Sequence, residues 1–127
     1  MDRPPFTLWR SVRGEVAIEF AILFTVAMLL VMGLVEFGRA LWYQSTLDFA
    51  VQSAARCGAV NASACGTTSQ IQQYAVSMAP GLPVTTSNFT VTSPSCGIQV
   101  VGSYTFQTVV PNLLPYTMNL TATACFL

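Results

Sequence analysis

The sequence has no histidine and no lysine, and after Arg56 it has no charge of either sign. Each absence removes a class of function. Without histidine the commonest general base and the commonest metal ligand are missing. The acids are Asp2, Glu15, Glu19, Glu36 and Asp48, so none lies in residues 57–127. General acid–base work there is left with Tyr or Cys. A Ser or Cys nucleophile has no His to activate it. No phosphate-binding loop, dinucleotide glycine fingerprint or H-E-x-x-H occurs. Cys57, Cys65, Cys96 and Cys125 do not form the paired C-x2-C spacing of a zinc site. The expectation is a protein that is not an enzyme and needs no cofactor or metal. A neutral C-terminal half also lacks the basic footprint of a nucleic-acid binder.

What charge there is lies at one end. Five Arg and five acids make 8% of the 127 residues, against about a quarter in ordinary soluble domains. A neutral surface rich in Thr, Ser, Gln and Asn suits packing against copies or partners. The length allows one small domain and one extra element. The four cysteines all follow the apolar part of the chain, and an even number on one side of such a segment reads as disulfides in an oxidising compartment.

The apolar part is the strongest feature. Residues 20–35 carry no charge, and Glu19 stands immediately before them. An acid at the centre of a membrane helix costs roughly 2.5–3.5 kcal/mol, so Glu19 asks for a partner or a purpose. Before the run come Arg3, Arg10 and Arg13, with Asp2 the only acid before residue 15. That bias predicts a cytoplasmic N-terminus and an exported C-terminus. Residues 1–14 have no continuous apolar core of the kind a secretory signal needs. By hydropathy alone, an uncleaved signal anchor fits as well as a processed segment.

Gly14-Glu15-Val16-Ala17-Ile18-Glu19-Phe20 resembles a prepilin peptidase site of the type IV pilin class. The Glu19-Phe20 pair is similar to the version in tight-adherence (Tad) pili. Residues 33–41 (GLVEFGRAL), then Ala54-Ala55-Arg56, resemble TadE-like pseudopilins, and residues 104–106, 111–115 and 120–124 fit more weakly. Cys57 and the count of four cysteines depart from the usual pattern. The resemblance implies removal of residues 1–14 by a membrane aspartic peptidase, with cleavage between Gly14 and Glu15. It implies that Glu19 pairs with the new N-terminal amine of a neighbouring subunit, with Phe20 beside it in the assembly helix. The partners it implies are other pilin or pseudopilin subunits, the prepilin peptidase and the membrane platform for pilus assembly. It implies a homo-oligomer or filament, and a bacterial inner-membrane location with onward passage to a pilus or the cell surface. The plain alternative for Glu19 is an acid stabilised by the helix macrodipole.

Residues 15–56 as one helix would span about 63 Å, twice the roughly 30 Å of a hydrocarbon core. The reading is therefore membrane-spanning over 20–35 and amphipathic over 36–56. Phe37, Leu41, Gln44, Leu47, Val51 and Ala54 recur at helical steps and are expected to face the C-terminal domain. Arg39, Gln52 and Arg56 are expected to be more exposed, with Glu36 and Arg39 placed to pair along the helix. Gly33 and Gly38 mark either a bend or a close helix contact.

Residues 57–127 form the exported domain. Cys57-Gly58 is expected to end the helix, with a loop over 61–69. A short helix follows over 69–79, with Ile71, Tyr74, Ala75 and Met78 on one face. Ala79-Pro80-Gly81-Leu82-Pro83 breaks it. Strands are predicted over 87–92, 97–109 and 117–126. In the last, Met118, Leu120, Ala122, Ala124 and Phe126 alternate with polar residues. The fold class is α+β: a long N-terminal membrane-spanning helix whose outer half packs on a small antiparallel sheet, stapled by disulfides. Four cysteines allow three connectivities; a loop closed by Cys57–Cys65 and a hairpin closed by Cys96–Cys125 are favoured. Asn61, Asn88 and Asn119 match the glycosylation acceptor pattern, which arises readily by chance in a Thr/Ser-rich chain.

The leading expectation is a TadE-like pseudopilin or minor pilin acting by assembly. The alternative is an uncleaved single-pass anchor carrying an exported binding domain. Release of a soluble domain would need cleavage after the apolar run, and Ala54-Ala55 makes a poor site for it.

Overall fold

The computed structural model describes residues 8–109 and 116–127, the backbone alone over 8–13. The expected leader before Leu8 and the expected hairpin turn at Pro111–Pro115 lie outside the described residues. Helix α1 runs Leu8–Val60, α2 Ala62–Cys65 and α3 Thr68–Ser77. Strands β1 (Phe89–Thr92), β2 (Ile98–Gln107) and β3 (Thr117–Phe126) follow. The chain divides into two compact units, Met1–Phe37 and Gly38–Leu127, and α1 continues through the division.

In the first unit, the described side chains from residue 14 to Val35 are all exposed. From Gly14 onward α1 is long and apolar enough to cross a membrane, with a mean hydropathy of 2.5 over its most apolar 18 residues and none of those 18 buried. Glycine costs a helix about 1 kcal/mol relative to Ala, yet α1 runs unbroken through Gly33 and Gly38. A methyl group on either would touch nothing within 4 Å. Neither glycine marks a break in the helix or a close contact within the described chain.

The second unit is the α+β domain. Its sheet has the order β1-β2-β3, antiparallel throughout. Phe89 pairs with Gly102, and β3 pairs with β2 from Ile98↔Phe126 to Gln107↔Thr117. Alternation puts Val100, Gly102 and Phe106 of β2 and Leu120 and Ala122 of β3 on the buried face. The part of α1 beyond Gly38 covers that face through Leu47, Ala50, Val51, Ala54 and Ala55, each at most 1% exposed. Burying a Leu, Val or Phe side chain contributes roughly 1.5–3 kcal/mol. This helix–sheet layer is therefore the main source of the domain's stability.

Leu47, Val51 and Ala54 of the expected stripe are buried, but its first positions differ. Phe37 and Leu41 are exposed, at 64% and 53%. The inward residues at that level are Ala40 and Tyr43. Arg39 is half-buried rather than exposed, while Gln52 and Arg56 are exposed as expected. At the ends of β3 the expected alternation fails too, since Met118 and Phe126 are 39% and 42% exposed. β3 is an edge strand, and α1 lies along its neighbour β2 from Arg39 over Phe106 to Gly58 beside Ile98, which leaves the ends of β3 partly uncovered.

Helix α1 also outruns its expected end at Cys57-Gly58. A methyl group at Gly58 would meet Ile71 Cδ1 at 2.9 Å and Ile98 Cγ2 at 3.0 Å. Gly58 is thus a point of close packing inside the helix, not its stop. The chain leaves α1 through Asn61, whose side-chain oxygen accepts from the Ala64 N–H at 3.2 Å and caps α2. The expected loop over 61–69 therefore contains a helical turn. Thr67 and Gln70 cap α3 reciprocally, Thr67 Oγ1 accepting from the Gln70 N–H and Gln70 Oε1 from the Thr67 N–H.

The disulfides are Cys57–Cys65 and Cys96–Cys125, the favoured pairing. The first ties α1 to α2. The second joins the chain before β2 to the end of β3. Gly97 lies between Cys96 and β2 at φ +109°, and a side chain there would collide with the Phe126 carbonyl.

Candidate processing and assembly segment

Gly14, Glu15, Glu19 and Phe20 lie on one unbroken stretch of α1, and all four are exposed. Gly14 has open space around it, with nothing within 4 Å of a would-be Cβ. Glu15 and Glu19 are four residues apart and so occupy the same helix face. Among the described residues, no side chain or backbone group bonds to the Glu19 carboxylate. Phe20 stacks on Phe24 one turn later, ring centres 5.8 Å apart and planes at 22°. Thr25 satisfies its hydroxyl locally by donating to the Ala21 carbonyl at 2.8 Å. The segment is thus an apolar surface with two exposed carboxylates near its start, Glu15 and, immediately before the charge-free run, Glu19. Among the described residues there is no group of His, Cys, Asp and Glu able to hold a metal.

The second unit contains the site-like grouping that sequence reasoning missed. Tyr43 on α1 meets Tyr104 and Phe106 on β2 edge-to-face, each at 5.6 Å. The Arg39 guanidinium lies over Phe106 at 5.3 Å and over Tyr43 at 5.7 Å. One turn along α1, Gln44 Nε2 donates to the Thr121 carbonyl at 3.0 Å and reaches both Asp48 oxygens at 3.3 Å. Together these contacts clamp α1 to β2 and β3. Burial raises the Tyr104 phenol above its ordinary pKa, Tyr43 adds to the rise and Arg39 opposes it. The signal available in the sequence was Arg39 and Tyr43 at i,i+4 together with Tyr104 and Phe106 at i,i+2.

The three glycosylation-pattern asparagines have structural partners. Asn61 caps α2. Asn88 Oδ1 accepts from the Thr85 N–H at 2.8 Å while its Nδ2 donates to the Ser103 carbonyl at 2.9 Å. Asn119 Oδ1 accepts from Thr105 Oγ1 at 3.0 Å across the β2–β3 ladder. Turn and sheet chemistry accounts for all three.

With this geometry in view, the comparison with protein families is specific. The family model for TadE-like proteins matches residues 14–56. Over that segment the chain is similar to TadE-like proteins. The match opens at Gly14 and closes at Arg56, so it takes in Glu19, the apolar run and the face of α1 that covers the sheet. It supports a relation to Tad-pilus proteins, and the apolar helix fits a single-pass membrane anchor. No curated relative and no solved structure matches the chain.

Proposed function

We propose that this protein is a TadE-like pseudopilin or minor pilin that takes part in assembling a Tad-type pilus. The observation that carries the reading is the unbonded Glu19 carboxylate directly before the exposed apolar run 20–35, within the segment that resembles TadE-like proteins. Prepilin peptidase cleaves between Gly14 and Glu15 and frees an α-amine four residues from Glu19. Subunits then associate through their apolar helices in the inner membrane. A carboxylate in that setting is strongly disfavoured unless an opposite charge lies close by. The amine of a neighbouring subunit supplies that charge, and the pairing fixes the register of one helix on the next. The N-terminus lies in the cytoplasm and the disulfide-bonded domain on the exported side, where disulfides persist. The domain contributes surface and not catalysis. Exposure to active prepilin peptidase tests the reading: removal of residues 1–14 is expected, and a chain that stays whole would favour a permanently anchored exported domain.

A further inference from the structure

We infer that the cleft between the last two turns of α1 and helix α3 holds a carboxylate, presented by an acidic side chain of a different protein. The inference lies wholly within the Gly38–Leu127 unit. It does not depend on cleavage at Gly14 or on the pairing of Glu19.

The charges of the unit point to this place. Its charged side chains are Arg39, Asp48 and Arg56. Arg39 lies over the Tyr43 and Phe106 rings, and Asp48 accepts from Gln44 Nε2 at 3.3 Å. Arg56 is exposed and makes no hydrogen bond or ion pair among the described residues. It lines a cleft of about 310 Å³ together with Ser53, Cys57, Val60, Asn61 and Tyr74. That volume is at the lower end of the range for small-ligand sites.

The polar groups of the cleft offer donors. Asn61 Oδ1 is occupied, accepting from the Ala64 N–H at 3.2 Å and from Ser63 Oγ at 2.7 Å. Its Nδ2 has no partner among the described residues. The Ser53 and Tyr74 hydroxyls have none there either, and both residues are half-buried. No carboxylate lines the cleft. A guanidinium, an amide NH₂ and two hydroxyls together suit an anionic acceptor. One guanidinium balances one negative charge, which matches a carboxylate better than a phosphate dianion. Its planar fork also fits two carboxylate oxygens. Val60 and the Cys57–Cys65 disulfide add apolar surface for the CH₂ stem of an acidic side chain.

A second copy of this unit is not the occupant. Its one acid is Asp48, half-buried and already bonded to Gln44. Asp2, Glu15, Glu19 and Glu36 all belong to the other unit. The carboxylate therefore comes from a different protein.

The test titrates the full ¹⁵N-labelled chain, in detergent micelles, with the blocked tripeptide acetyl-Ala-Glu-Ala-amide. The Gln counterpart of that peptide, acetate and inorganic phosphate are run in parallel. NMR shifts of the Arg56 side-chain N–H and of the Gly58 and Asn61 backbone N–H groups report binding. Saturable shifts are expected with the Glu peptide, none with the Gln peptide, and weaker binding of acetate and phosphate. Arg56→Gln is expected to weaken binding about 10-fold and Tyr74→Phe about 3-fold. Arg56→Lys, which keeps the charge without the fork, should recover only part of the loss. Arg56 is exposed, so these substitutions leave the fold intact. No saturable shift with the Glu peptide overturns the site. An equal response to the Gln peptide, or binding that survives Arg56→Gln, overturns carboxylate recognition. Phosphate binding as tightly as the Glu peptide shows a general anion site and overturns the carboxylate assignment. Acetate binding as tightly overturns a peptide as the occupant. None of these outcomes touches leader removal, so failure here is distinct from failure of the pilin reading.

Discussion

Gly102 stands against Leu47, so close that a methyl group at Gly102 would come within 2.9 Å of Leu47 Cδ1. The same methyl would meet Val51 Cγ1 at 2.9 Å and Phe89 Cε1 at 3.1 Å. All three neighbours are at most 1% exposed, so none can swing into solvent. Gly102→Ala is expected to destabilise the domain by about 1–3 kcal/mol through overpacking. Gly102→Val should cost more. Leu47→Ala, which opens a cavity at the same contact, is expected to cost about 2–5 kcal/mol. Denaturant unfolding of the full chain in detergent checks the order, and an unperturbed Gly102→Val variant would contradict this packing.

The two disulfides should contribute unequally. Their sequence separations are 8 for Cys57–Cys65 and 29 for Cys96–Cys125. Loop-closure entropy gives roughly 2.5 and 3.6 kcal/mol respectively. Replacing Cys96 and Cys125 together by Ala is expected to lower the unfolding midpoint more than replacing Cys57 and Cys65. Peptide mapping of the unreduced chain should recover these two links and no crossed ones.

Patterning made the architecture legible before the local packing. The period-two run in β3 and the apolar charge-free stretch fixed the element types, because both signals depend only on side-chain alternation and length. The disulfides followed from placing Cys96 and Cys125 at matching ends of one hairpin. The face of α1 was harder to read. Phe37 and Leu41 looked like core because they are large and in phase, but the inward positions at that level belong to Ala40 and Tyr43. Trp42 and Phe49 are further exposed apolar residues on α1 and obscure the periodicity of the buried stripe. Gly58 misled for a related reason. A glycine near a helix end reads as a stop, whereas here it is small so that Ile71 and Ile98 can approach. The candidate processing motif is legible in the sequence because it is confined to residues 14–20. The aromatic clamp on Arg39 was not, because it depends on a contact between residues more than sixty apart in sequence.

Tyr104 supplies a pH prediction. Its phenol is raised above the ordinary value of about 10, first by burial, then by Tyr43, with Arg39 working in the other direction. The unfolded chain therefore gives up this proton at lower pH than the folded one. The stabilisation is fully present below about pH 10 and is lost as pH rises through the folded value. Phenolate absorbance on alkaline titration, compared with a Tyr104→Phe variant, should show Tyr104 ionising late. Arg39→Gln removes the opposing charge and should delay that ionisation further; an earlier ionisation would contradict the clamp.

Glu19 should matter for assembly and not for folding. Its side chain is exposed and makes no hydrogen bond or ion pair among the described residues, so Glu19→Ala is expected to leave the unfolding midpoint of the Gly38–Leu127 domain unchanged. Export and leader removal should also persist. Incorporation into filaments should fall by about 10-fold or more, given that an unmatched buried ion pair costs several kcal/mol. Glu19→Asp, which keeps the charge but shortens the reach, should recover part of the loss. Normal incorporation of Glu19→Ala would remove the pairing role.

The central claim is that this chain is a processed subunit and not a permanent anchor. Intact-mass measurement of protein extracted from membranes that contain active prepilin peptidase tests it most directly. The account predicts a single species lacking residues 1–14, starting at Glu15 and holding both disulfides. Full-length chain persisting as the main species beside the active peptidase would contradict it.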